Sequence, residues 1–180
     1  MFRRKMLATA MSVSILLTAT AVQAAPPTTA TLTAEWTSGA PGGPVFEERS
    51  ITVTETPDGV VSLSFDITRT LECLGTEGAS TTERWQATAV PASLSVKNNL
   101  SAASAAATVT GGFSVTGNCP GVNAVSGDVG LVTIETVATS RTMRERTADG
   151  VRILTRSVDV AFNAGSFRVQ GPGELEKRIG

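Results

Sequence analysis

The segment ITVTETPDGVVSLSFDI, residues 51–67, decides the fold class. In its second half Val61, Leu63, Phe65 and Ile67 alternate with Ser62, Ser64 and Asp66. That is the period-two pattern of a strand with one buried and one wet face. Ile51 and Val53 alternate with Thr52 and Thr54 in the same way, and Pro57, Asp58 and Gly59 lie between the two runs. A two-residue turn would set Ile51 and Val53 against the serine face. A three-residue loop instead pairs Ile51 with Phe65 and Val53 with Leu63, gathering every apolar side chain on one side. The loop residues agree, because Pro presets φ at the first position of a type I turn and Gly tolerates the left-handed third position. The segment therefore predicts an antiparallel hairpin.

Ala148, Asp149 and Gly150 repeat that chemistry further along. The same loop would place Met143, Val151 and Ile153 on one face of a second hairpin and Arg144, Arg146, Arg152, Leu154 and Arg156 on the other. Val158, Val160 and Phe162 are apolar on the opposite parity to Val151 and Ile153, which predicts a bulge at residues 155–157. Further strands are expected around Leu32, Ala34 and Trp36; Trp85, Ala87 and Ala89; Leu94 and Val96; Val109, Phe113 and Val115; Val132 and Ile134; and Phe167 and Val169. The run SAASAAA at 101–107 reads as a connection, and the charged residues 174–180, like 25–30, read as frayed ends. About eight or nine short strands at this spacing predict an all-β fold, an antiparallel β-sandwich of the immunoglobulin-like or a similar type, with a barrel as the second architecture.

The chain opens like an export signal. Arg3, Arg4 and Lys5 precede an apolar run that ends near Ala21, and small residues at Val22 to Ala24 offer a cleavage site. Its Thr and Ser content, its length below the roughly 20 residues of a span, and Pro26 and Pro27 argue against an anchor. The expectation is a cleaved signal peptide at 1–24 and a single domain at 25–180, secreted to the extracellular space or a bacterial cell envelope, with no membrane span in the mature part. Cys73 and Cys119, an even pair in an oxidising compartment, are then expected to form a disulfide.

Composition narrows the chemistry. The chain has 15 basic and 16 acidic residues and no histidine or tyrosine, and loss of the leader leaves a net charge of −4. Nucleic-acid binders carry a basic excess, so no nucleic-acid partner is expected. Without histidine no Ser/His/Asp or Cys/His nucleophile can be built, and no phosphate loop, calcium loop or zinc spacing occurs. No catalytic residue, metal or cofactor is expected. Glu47 and Glu48 are adjacent and would point to opposite faces of a strand, and together with Glu83 and Glu135 they read as surface acids. Trp36 and Trp85 fall in register with apolar neighbours and read as core.

The feature that stands out is the arginine face of the second hairpin. Arg146 and Arg152 would lie directly opposite each other, and like charges so placed are destabilising. A partner-binding surface of Arg144, Arg146, Arg152 and Arg156 would answer that cost, with an anionic envelope polymer or an acidic protein surface as partner. The expected function is a secreted, non-catalytic binding or structural module. The alternative is a secreted hydrolase or protease inhibitor presenting the loop at 38–46, and a carboxylate-dependent glycosidase is more remote.

Overall fold

The computed structural model describes residues 28–89 and 92–180, so the predicted leader and its cleavage site lie outside the described residues. The polypeptide forms ten strands: β1 (Thr28–Gly39), β2 (Val45–Glu55), β3 (Val61–Glu72), β4 (Ser80–Ala89), β5 (Ser93–Val96), β6 (Ala103–Gly117), β7 (Val125–Ala138), β8 (Met143–Arg146), β9 (Arg152–Ala164) and β10 (Phe167–Ile179). The first hairpin has the deduced register, with Ile51 opposite Phe65 and Val53 opposite Leu63. Its three-residue loop is closed by Thr56 N–H donating to Val60 O at 3.0 Å, and Gly59 takes the left-handed position at φ 81°.

The sheet is not a sandwich. β1, β2, β3, β4, β6, β7, β9 and β10 pair in that order, and β10 returns to pair with β1, closing an eight-stranded antiparallel barrel. β5 pairs with β6 past the end of β4, and β8 pairs with β9 past the end of β7, so each short strand prolongs a neighbour's line. Period-two patterning separates inside from outside identically in a sandwich and a barrel. What separates them is closure, and closure depends on the segment expected to fray. Glu174 to Ile179 form the end of β10 and pair with Thr28 to Thr33, which are themselves ordered in β1.

Two further expectations are corrected. The 101–107 run is mostly strand: Ala103, Ala105 and Ala107 are buried on the lumen side of β6. Small residues there leave room for large ones opposite, a common economy in small barrels. The predicted bulge at 155–157 does not occur, because β9 and β10 keep one register from Phe167–Ala164 to Ile179–Arg152. Leu154 rather than Ile153 faces the core, in phase with Val158, Val160 and Phe162, and the register shift lies between Val109 and Gly112 on β6.

The lumen is filled. Leu32, Ile51, Val53, Leu63, Ile67, Val132, Ile134, Val160, Phe162 and Leu175 are fully buried, and Phe65 packs against Phe162 with ring centroids 5.1 Å apart. At one end the chain seals the barrel with the 97–102 segment, where Leu100 is fully buried at φ 55°. Arg156 holds that cap by donating to Ser140 O at 2.7 Å and Asn99 O at 2.9 Å. At the other end Cys73 and Cys119 are joined, as expected, with Cα atoms 5.7 Å apart, tying the β3–β4 loop to the β6–β7 loop.

The β1–β10 seam depends on a glycine. The ladder stops at Thr33–Glu174, short of Pro172, which has no N–H to donate. Beyond it the Trp36 indole packs directly on Gly171, where a Cβ would collide with the ring. Gly171→Val is therefore expected to cost about 1–3 kcal/mol of stability through overpacking. Urea unfolding measures it, and Trp36→Ala in the same chain should recover part of the loss through coupling of the two sites. Equal stability of Gly171→Val and the parent would overturn this account of the seam.

Candidate functional site

The second hairpin also has its deduced register. Arg146 pairs with Arg152, Arg144 with Leu154, and Glu145 with Ile153. Thr147 N–H donates to Val151 O at 2.9 Å across the Ala148–Asp149–Gly150 loop. The Thr147 hydroxyl also donates to the Asp149 carboxylate and holds that acid below the usual aspartate range, as Thr56 does for Asp58 in the first hairpin.

The structure divides the four arginines. Arg156 is half-buried and committed to the cap, donating to main-chain carbonyls and lying 3.4 Å from the Thr142 hydroxyl. Arg144, Arg146 and Arg152 are exposed. They share the parity of the lumen side chains but lie at or beyond Leu154, the last buried residue of β9 toward this end. Among the described residues no ion pair or side-chain hydrogen bond reaches any of the three, Glu145 and Asp149 included. β9 pairs with β10 along its whole length, so the ribbon is an extension of the barrel wall.

A second cluster was not expected. Glu47 is 6% exposed and lies inside the other end of the barrel, not on the surface. It pairs with Arg49, and Arg69 Nε donates to its Oε1 at 2.6 Å; Arg69 also reaches Glu83 at 3.6 Å. The Arg49 guanidinium stands 5.3 Å over Trp36 and that of Arg69 5.1 Å over Phe167, which stacks on Trp85 at 3.8 Å. Burial first, and then the Arg69 charge, draw Arg49 below the ordinary arginine range. Parity was the available signal: Glu47 and Arg49 are in phase with Ile51, Arg69 with Ile67, and Glu83 with Trp85. Both inward glutamates are held by arginine. Among the described residues no group of three or more acids, cysteines or histidines is placed to hold a metal ion.

The outer face of β1–β4 carries a groove of about 620 Å³ whose lining includes Glu35, Glu48, Asp66 and Arg84. Arg84 grips Asp66 with both Nε and Nη2, at 3.0 and 2.5 Å, and is held above its usual range by that bond and charge. Glu35 and Glu48 are exposed, and among the described residues neither side chain has an ion-pair or hydrogen-bond partner. The loop expected as an inhibitory element spans Ala40 to Pro44 between β1 and β2, and its Pro44 carbonyl accepts from Glu72 N–H at 3.0 Å.

The class defined by these features is an eight-stranded up-and-down antiparallel barrel with a packed lumen, a cystine at one end and a basic ribbon at the other. Compared with known proteins, the chain matches no family model, no curated sequence and no solved structure.

Proposed function

We propose that the protein is an exported, non-catalytic binding module that meets an anionic partner with the β8–β9 ribbon. One observation carries this: Arg144, Arg146 and Arg152 are exposed together, two of them directly opposite, with no acid of the described chain neutralising them. Opposed like charges cost stability. They are tolerated where a ligand supplies the missing charge, and guanidinium groups suit carboxylate and phosphate oxygens by bidentate bonding. The barrel contributes rigidity, since a ribbon anchored along β10 loses little freedom on binding.

Arg144→Glu, Arg146→Glu and Arg152→Glu made together should shift stability by no more than about 0.5 kcal/mol per site, as exposed substitutions do. The same variant should lose capture of the anionic envelope fraction that the parent retains, and parental capture should weaken as salt rises. Unimpaired capture by the triple variant would remove the proposal.

A further inference from the structure

We propose that the partner of the arginine ribbon is the Glu35–Glu48 groove of a second copy of this chain, so that the protein self-associates. The inference rests on the reading of the ribbon as a binding surface and names its occupant.

The charge pattern is complementary within one chain. The ribbon presents Arg144, Arg146 and Arg152 without counter-ions, and the groove presents Glu35 and Glu48 without counter-ions, its third acid, Asp66, being held by Arg84 and its other arginine, Arg49, being held from the lumen side by Glu47. Glu35 pairs with Ser50 and Thr37 with Glu48, so the two acids are diagonal neighbours on adjacent strands, their backbones about 7–8 Å apart. Arg146 and Arg152 are directly opposed at about 5 Å, a separation that long guanidinium side chains can bring onto two such acids.

The ribbon cannot reach its own groove. Arg152 is in line with Ile179 and Thr28 across the sheet, and Glu35 is seven residues further along β1, a span of about 23 Å of rigid strand. The contact must therefore join different molecules. Because ribbon and groove are unlike surfaces set far apart on one wall, two copies either exchange both contacts in a twofold dimer or make one contact each and propagate into a ring or filament. A contact built mainly on exposed charge is fast, weak and salt-sensitive.

The test is sedimentation of the full protein over a range of concentrations. In low salt its weight-average mass should climb above that of a monomer as concentration rises, and at about 1 M ionic strength, where screening acts within about 3 Å, it should return to monomer. The variant with Arg144→Ala, Arg146→Ala and Arg152→Ala and the variant with Glu35→Gln and Glu48→Gln should each stay monomeric. Mixed, they should form a one-to-one complex and nothing larger, because one offers only a groove and the other only a ribbon. A parent that is monomeric at every concentration in low salt, or a mixture that stays monomeric, overturns the inference. In either case loss of envelope capture by the glutamate triple variant would leave the ribbon reading standing, and assembly that survives the alanine substitutions likewise overturns the inference alone.

Discussion

Glu47→Gln is expected to lower the unfolding free energy by about 3–5 kcal/mol, the usual cost of removing one member of a buried ion pair. The side chains of Glu47 and Arg49 are 8% and 9% exposed, so neither charge is screened by water to any useful degree. Arg69, at 29%, is better hydrated and its share of the loss is smaller. Glutamine keeps the shape and can still accept a hydrogen bond, yet it leaves two guanidinium groups facing each other at the mouth of an apolar lumen. Arg49 is already strained electrostatically in that direction, being pulled down by burial and by the Arg69 charge. Replacing Glu47, Arg49 and Arg69 together by Leu, Met and Met should cost far less than the single change, because no deeply buried charge is then stranded and Glu83, which loses Arg69, is 26% exposed and stays hydrated. Urea unfolding of the two variants decides the matter: a Glu47→Gln protein as stable as the parent would show that the cluster is not coupled.

Cys73→Ser with Cys119→Ser is expected to cost about 4 kcal/mol, the chain entropy of opening a loop of this length; the two cysteines are 46 residues apart. The loops that the bond joins have other ties. Ser80 N–H donates to Asn118 Oδ1 at 2.9 Å, Asn118 N–H to Ser80 O at 3.1 Å, and Cys73 N–H to Ala79 O at 2.9 Å. The native geometry should therefore survive, and the loss should come from a freer unfolded state. In urea this means a lower midpoint with a steeper slope, since the unlinked chain exposes more surface. Stability unchanged on removing the bond would mean that the crosslink constrains nothing.

Inside and outside were legible in the sequence for most of the apolar strand positions, though not for Glu47 or for Ile153 and Leu154; the way the sheet closes was not. The paired registers of Ile51 with Phe65 and Arg146 with Arg152 followed from two loop triplets, because turn chemistry fixes loop length and loop length fixes parity. Ala103, Ala105 and Ala107 were missed because alanine carries almost no strand signal by itself, and only a lumen crowded from the opposite wall gives it a reason to be there. Residues 174–179 were misread because Glu174, Glu176, Lys177 and Arg178 look solvated, and three of them alternate with Leu175 and Ile179 in a pattern that becomes informative only against β1. At the entry to β9, Val151 and Ile153 suggested the wrong phase, since apolar residues at a barrel rim answer to local exposure rather than to the core. At the candidate site, the grouping of Arg144, Arg146 and Arg152 could be read directly. The diversion of Arg156 to the cap could not, because its acceptors, Asn99 and Ser140, belong to segments whose positions no local pattern specifies.

The pairing of Thr28 with Ile179 has a kinetic consequence. The wall is completed by joining the first described strand to the last, nearly the greatest sequence separation the described residues allow, and such topologies fold slowly. Until its final segment is available, the nascent sheet keeps two bare edges with unsatisfied main-chain groups, the kind of surface on which chains stick to one another. Loss of even a few C-terminal residues should thus do more harm than their charge and polarity suggest, turning a closed cylinder into an open, adhesive ribbon.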